Sequence, residues 1–309
     1  MFIGEKVLFM FMPWFFFKAG LFYKSASLSS VVSKSFHRLL VPWIIFGLIG
    51  LIIWIAVGYL METPTIREIV NLRRILLITA FEFGLPGNPP LWFLIALFSC
   101  QVSTIFLQRI LHIKPIVIAL VFLLMAFLFK FYILDDFIPY TWLSVLTGLV
   151  FFGAGSILRD YQYSSRFAAA VGILIVILYA YDDTFVEMRT NGLLVSTQSG
   201  YILYFIRALC GIILLNFISD KLNKRYLSQS ILTNIGKNSM GYYVWHFPII
   251  TVMTYVTSSI QDRVVAFTFS IIAIIIALPA LDYITRRYWP EALGLKRDRK
   301  RMTAPDSLP

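Results

Sequence analysis

The side chain best placed to do chemistry in this 309-residue chain is His246, inside an apolar run, 240–255, that otherwise holds no residue charged at neutral pH. If that run is a helix starting near Lys237, a rise of about 1.5 Å per residue puts the imidazole roughly 14 Å deep in a hydrocarbon layer about 30 Å thick. Neutral imidazole carries one donor and one acceptor, so it could act as a general base or stabilise developing negative charge. It could equally be held by a neighbouring helix and serve packing. A second group, Lys34, His37 and Arg38, stands just before Leu39-Leu40-Val41-Pro42. Clustered cations could hold the phosphates of a cytosolic cofactor through charge-assisted hydrogen bonds, or simply flank the inner end of a membrane span. Arg207 and Lys18 complete the intramembrane polar candidates. Arg207 is either snorkelling to the outer surface or paired in the bundle; Lys18 lies nearer the inner end of its run, where snorkelling is easier.

Other chemistries find no support in the residue pattern. There is no Gly-x-x-x-x-Gly-Lys-Ser/Thr phosphate loop, no Cys-x-x-Cys pair and no Gly-x-Ser-x-Gly elbow. The three histidines, His37, His112 and His246, are too dispersed to suggest a metal site. Cys100 and Cys210 fall within apolar runs, as buried free thiols would.

These candidates must be positioned by a membrane bundle. Hydrophobic residues make up 59% of the chain and charged residues only 14%, far from the balance of a soluble protein; mean hydropathy is +0.79. Nine runs are long enough to cross: 7–23, 39–60, 91–108, 115–131, 140–158, 167–181, 201–219, 239–255 and 264–284. The fold class is all-α, a polytopic integral membrane helix bundle of about nine transmembrane helices. The net charge of +11 follows topology rather than nucleic-acid binding. With nine alternating spans and a cytoplasmic C-terminus, most basic residues fall on inside connections, including Lys34, Arg38, Arg159, Lys221, Arg286 and Arg287. The segment 61–90 then lies on the outer face, with an amphipathic stretch at 66–83 that suits an interfacial helix and a breaker cluster, Leu85-Pro86-Gly87-Asn88-Pro89-Pro90, where the chain must turn.

Four segments, in order, carry a resemblance. They are Met12-Pro13-Trp14-Phe15-Phe16-Phe17-Lys18-Ala19-Gly20, Arg38-Leu39-Leu40-Val41-Pro42-Trp43, Leu91-Trp92-Phe93-Leu94 and Gly236-Lys237-Asn238-Ser239-Met240-Gly241-Tyr242-Tyr243-Val244-Trp245-His246. Together they resemble the bacterial acyltransferase 3 family, integral membrane enzymes that commonly O-acetylate surface sugars. The resemblance implies a ten-helix bundle that moves an acetyl group from acetyl-CoA, the donor, to a hydroxyl of a cell-surface polysaccharide or lipid-linked saccharide, with no metal. It implies residence in the bacterial inner membrane, with the lipid bilayer and the glycan as partners and no nucleic acid. Residues 1–290 would form the acyltransferase domain and 291–309 a basic cytoplasmic tail. Arg38, with Lys34 and His37 beside it, falls on the donor side, and His246 in the family's late aromatic-histidine segment. Members often carry Arg-x-x-Arg before the proline, where this chain has Ser35 three residues before Arg38. The family's first helix, with its principal catalytic histidine, normally precedes the Met12-Pro13 segment, and no histidine here precedes His37. Nine spans plus that helix make ten and return the N-terminus to the cytoplasm. A transporter or flippase for a lipid-linked glycan, and a truncated inactive family member, are the alternatives.

Overall fold

The structure, a computed structural model, describes residues 10–23, 27–61, 75, 79, 83–133, 140–161, 164–181, 188–189, 192–193, 197–222 and 226–295. The amphipathic stretch 66–83 lies almost wholly outside the described residues, as does 296–309. The described chain forms ten α-helices: α1 (Phe11–Leu21), α2 (Leu28–Ser35), α3 (Val41–Leu60), α4 (Trp92–Arg109), α5 (Pro115–Leu128), α6 (Tyr140–Ile157), α7 (Ser165–Tyr181), α8 (Gln198–Leu222), α9 (Tyr226–Val256) and α10 (Arg263–Tyr288). Each of the nine apolar runs is a helix over most of its described length. Among the described residues the one sheet is a two-residue ladder, β1 (Met188–Arg189) antiparallel to β2 (Gly192–Leu193).

Five helical stretches among the described residues are long and apolar enough to cross a membrane: Leu28–Leu60, Pro89–Arg109, Pro115–Tyr132, Gln198–Leu222 and Arg263–Tyr288. Two shorter apolar helices, Thr141–Ile157 and Ser165–Leu178, accompany them. The last long stretch exposes Val264 at 73%, Phe267 at 68% and Ile276 at 67%, a surface that suits hydrocarbon and not water. The protein is an integral membrane protein. α9 is not among the five, because the aromatic, histidine and proline residues around position 246 lower its hydropathy. It also begins at Tyr226, well ahead of the expected 239, so much of the polar connection 220–236 is helical.

The chain divides into two compact units. The first comprises Met1–Val32, Ile78–Phe83 and Trp92–Gly236. Its core is built on small residues that let backbones approach. A Cβ at Gly20 of α1 would strike the Phe152 carbonyl of α6, one at Gly155 would strike the Phe17 carbonyl, and one at Gly153 would come within 2.9 Å of the Ala119 Cβ on α5. Aromatic rings fill what remains. Phe93 of α4 lies 5.0 Å from Phe16 and 5.7 Å from Phe15 of α1, and Phe151 stacks on Phe205 of α8 at 5.2 Å.

The second unit comprises Ser33–Leu77, Gly84–Leu91 and Lys237–Pro309. Here the breaker cluster departs from the expected turn at the outer face. It lies against the middle of α3. Any Cβ at Gly47 would come within 2.5 Å of the Leu85 side chain, and one at Gly50 within 2.8 Å of Asn88 and 3.0 Å of the Gly87 carbonyl. Gly87 itself has φ +93 and fits against the Gly50 carbonyl where no side chain could. Gly50 is about 13 Å along the axis from the start of α3 at 1.5 Å per residue, so the cluster re-enters the bundle. Irregular backbone survives at such depth only when buried in protein with its polar groups satisfied. Pro86, Pro89 and Pro90 have no N–H to satisfy, and the Asn88 and Leu91 amides donate to Leu85 and Asn88 carbonyls at 3.1 and 3.2 Å.

Candidate functional site

The candidate site lies in the second unit and is built on two prolines. Pro42 stands near the start of α3 and cannot donate to the Arg38 carbonyl four residues before it; its ring also crowds that carbonyl. The chain responds by widening to a π-helical turn, Phe36–Leu40, closed by the Val41 amide on the Phe36 carbonyl. Such turns recur at functional positions. This one presents His37 and Arg38 as exposed side chains beside Lys34 at the end of α2, while Ser35 and Leu39 are buried. His37 Nδ1 donates to the Ser33 carbonyl at 2.8 Å, which leaves its Nε2 outward. Behind the turn, the C-terminal 3-10 turn Pro290–Leu293 and Gly294 pack on its backbone. A Cβ at Gly294, whose φ is +68, would strike the His37 carbonyl and lie 2.6 Å from the Arg38 Cα. Ala292 and Leu293 are buried, so the packed chain runs past residue 290.

Pro248 does the same to α9. Lacking an N–H, it leaves the Val244 carbonyl without a helical donor. The Asn88 amide supplies one, donating through Nδ2 to Val244 at 3.0 Å and also to the Phe46 carbonyl of α3 at 3.4 Å. One residue earlier, the Tyr243 hydroxyl donates to the Pro90 carbonyl. His246 is partly buried on this same turn, with Nδ1 at 2.5 Å from the Tyr243 carbonyl. A carbonyl can only accept, so Nδ1 carries the proton and Nε2 keeps its lone pair. Trp245 packs edge-on against Phe46 at 5.2 Å and donates from its indole to Thr285 Oγ1 of α10 at 3.0 Å.

The stretch of α9 before His246 is fixed to α10 by a buried acid. Asp282 accepts Arg286 Nε through both oxygens at 2.8 Å, and Arg286 also donates to the Lys237 carbonyl at 3.3 Å. Gly241 has no side chain because the Asp282 carboxylate occupies that space.

The remaining sequence candidates lie in the first unit. Arg207, 4% exposed, donates to the Leu178 carbonyl at 2.8 Å and ties α8 to α7. Lys18 lies 5.7 Å from the Trp14 ring and 5.9 Å from the Phe22 ring, and the Trp14 indole donates to Asn216 at 3.1 Å. Both have interhelical or cation–π surroundings that explain their place in an apolar run. Cys100 and Cys210 are buried free thiols.

A scan against family models matches the acyltransferase domain, Acyl_transf_3, over residues 6–282, nearly the whole chain. The chain belongs to the acyltransferase 3 family. It is therefore a membrane acyltransferase. Neither the curated proteins nor the solved structures yielded a match. Within this acyltransferase, the segments that carried the resemblance divide by task. Phe16, Phe17, Trp92, Phe93 and Leu94 are buried and serve packing, whereas the Arg38–Pro42 and Lys237–His246 segments present polar groups.

Three residues that matter to the site escaped the sequence reading: Asn88, Tyr243 and Asp282. Asp282 had a signal, as the only acid in the run 264–284. Pro248 signalled an orphaned carbonyl in α9, but nothing local names Asn88 as its partner.

Proposed function

We propose that this acyltransferase moves an acetyl group from acetyl-CoA to a hydroxyl of a cell-surface polysaccharide or a lipid-linked sugar, in the bacterial inner membrane with its C-terminus in the cytoplasm. The observation that most supports the role of His246 is its Nδ1–H bond to the Tyr243 carbonyl, which leaves Nε2 as the free ring nitrogen. In this mechanism Nε2 takes the proton of the sugar hydroxyl while the oxygen attacks the thioester carbonyl. The C–S bond then breaks, the coenzyme leaves as thiolate and recovers a proton, and the ester stays on the sugar. Arg38 and His37, exposed on the π-helical turn, meet the phosphates of the donor, with Lys34 one turn earlier. From Arg38, on the π-helical turn that leads into α3, to Phe46 within α3 is about 12 Å along the axis at ~1.5 Å per residue, and Phe46 touches Trp245, the neighbour of His246. An extended pantetheine arm spans such a gap.

The test is transfer of radiolabel from acetyl-CoA to glycan in native membranes. His246→Ala should lower the rate about a hundredfold or more, the usual contribution of a positioned base. Full transfer at normal membrane abundance removes His246 from the mechanism.

A further inference from the structure

Asn88 is fully buried, and its Oδ1 has no hydrogen-bond partner among the described residues. Burying an amide with an unmatched acceptor is unfavourable, so satisfying its own polar groups does not account for its presence. Its donor side is specific. Nδ2 lies 3.0 Å from the one carbonyl in α9 that Pro248 strips of its helical partner.

We propose that Asn88 is a positioning residue for His246: by replacing the N–H that Pro248 lacks, its amide fixes the turn of α9 on which the imidazole is set. The proposal rests on His246 being the base. The re-entrant loop holds this turn at two points, Asn88 on the Val244 carbonyl and the Pro90 carbonyl on the Tyr243 hydroxyl. The turn in turn holds the ring, because the Tyr243 carbonyl takes the Nδ1 proton. Free of Asn88, the Val244 carbonyl tilts to seek another donor, as carbonyls do at helix prolines, and the Tyr243 carbonyl beside it shifts off the imidazole. The lone pair is then no longer confined to Nε2.

The chain has three histidines, so purified full-length protein labelled with ¹⁵N-histidine in lipid nanodiscs gives three pairs of ring-nitrogen signals, and His246→Ala assigns one of them. The wild type is expected to show His246 as the Nδ1–H tautomer. Asn88→Ala should give a mixture of tautomers and lower acetyl transfer by between about tenfold and a hundredfold, the effect of misplacing a reacting group. The double variant Asn88→Ala/Pro248→Ala, in which position 248 again carries an N–H for Val244, should recover both. Should Asn88→Ala fail to accumulate, Asn88→Asp, of equal size but unable to donate when ionised, is read in the same way. An unchanged tautomer in the single variant, or no recovery in the double, overturns the proposal. If the tautomer responds as expected but no form of the protein transfers acetyl, the positioning role stands and the proposed reaction falls.

Discussion

A histidine inside a membrane helix costs free energy unless its ring nitrogens are used. His246 uses one, toward the carbonyl three residues before it, and keeps the other. That division fixes a tautomer with its lone pair on Nε2, which is what the proposed role as a base requires. Arg38 differs: it is exposed, on a turn that Pro42 forces open. An exposed guanidinium is suited to phosphate, which it meets with two parallel donors. Arg38→Ala is therefore expected to raise KM for acetyl-CoA about tenfold, the worth of one charge-assisted hydrogen bond, with kcat little changed. Unaltered dependence on donor concentration would take Arg38 out of the coenzyme site. Lys34 and His37 were legible as a basic cluster from the sequence; the structure adds that His37 sits on the π-helical turn and Lys34 on α2 just before it, both exposed.

At the scale of elements, the informative piece is the re-entrant segment Leu85–Leu91. Its sequence reads as a turn, and it is one, yet it turns beside Gly47 and Gly50 instead of beyond the end of α3. Glycines three apart make a flat face on a helix, and a loop with three prolines has few amides to leave unsatisfied there. The fit is close enough to test. Gly50→Ala is expected to destabilise the detergent-solubilised protein by about 1–3 kcal/mol through overpacking against Asn88 and Gly87, read as a fall in apparent Tm. Gly236→Ala is the control: nothing lies within 4 Å of the added Cβ, and in helix α9 alanine should be neutral or stabilising by up to about 1 kcal/mol. Equal melting of the two variants would mean that the loop does not rest on Gly50.

At the scale of the whole chain, the positive charges predict an orientation that surface labelling can read. Cys100 and Cys210 are buried, which leaves a quiet background for a membrane-impermeant maleimide. In intact spheroplasts Gln261→Cys, in the exposed connection between α9 and α10, should react, and Leu111→Cys, exposed between α4 and α5, should react only after lysis. The reverse pattern would put the basic turn at Arg38 outside, away from any cytosolic donor. Membrane residence, the helical character of the nine apolar runs, the family and the two polar stretches at 34–38 and 237–246 were all legible in the sequence alone, though the start of α9 at Tyr226 was not. Each is a local property: hydropathy summed over a window, or a motif read within a few neighbours. What only the tertiary structure decided is which polar groups meet. The carbonyl freed by Pro248 finds its donor 156 residues away in Asn88, and Arg207 finds its acceptor on another helix. Composition and periodicity say how deep a residue lies along its own helix, but they carry no information about which helix lies beside it, and in a bilayer a polar group is satisfied only by what lies beside it.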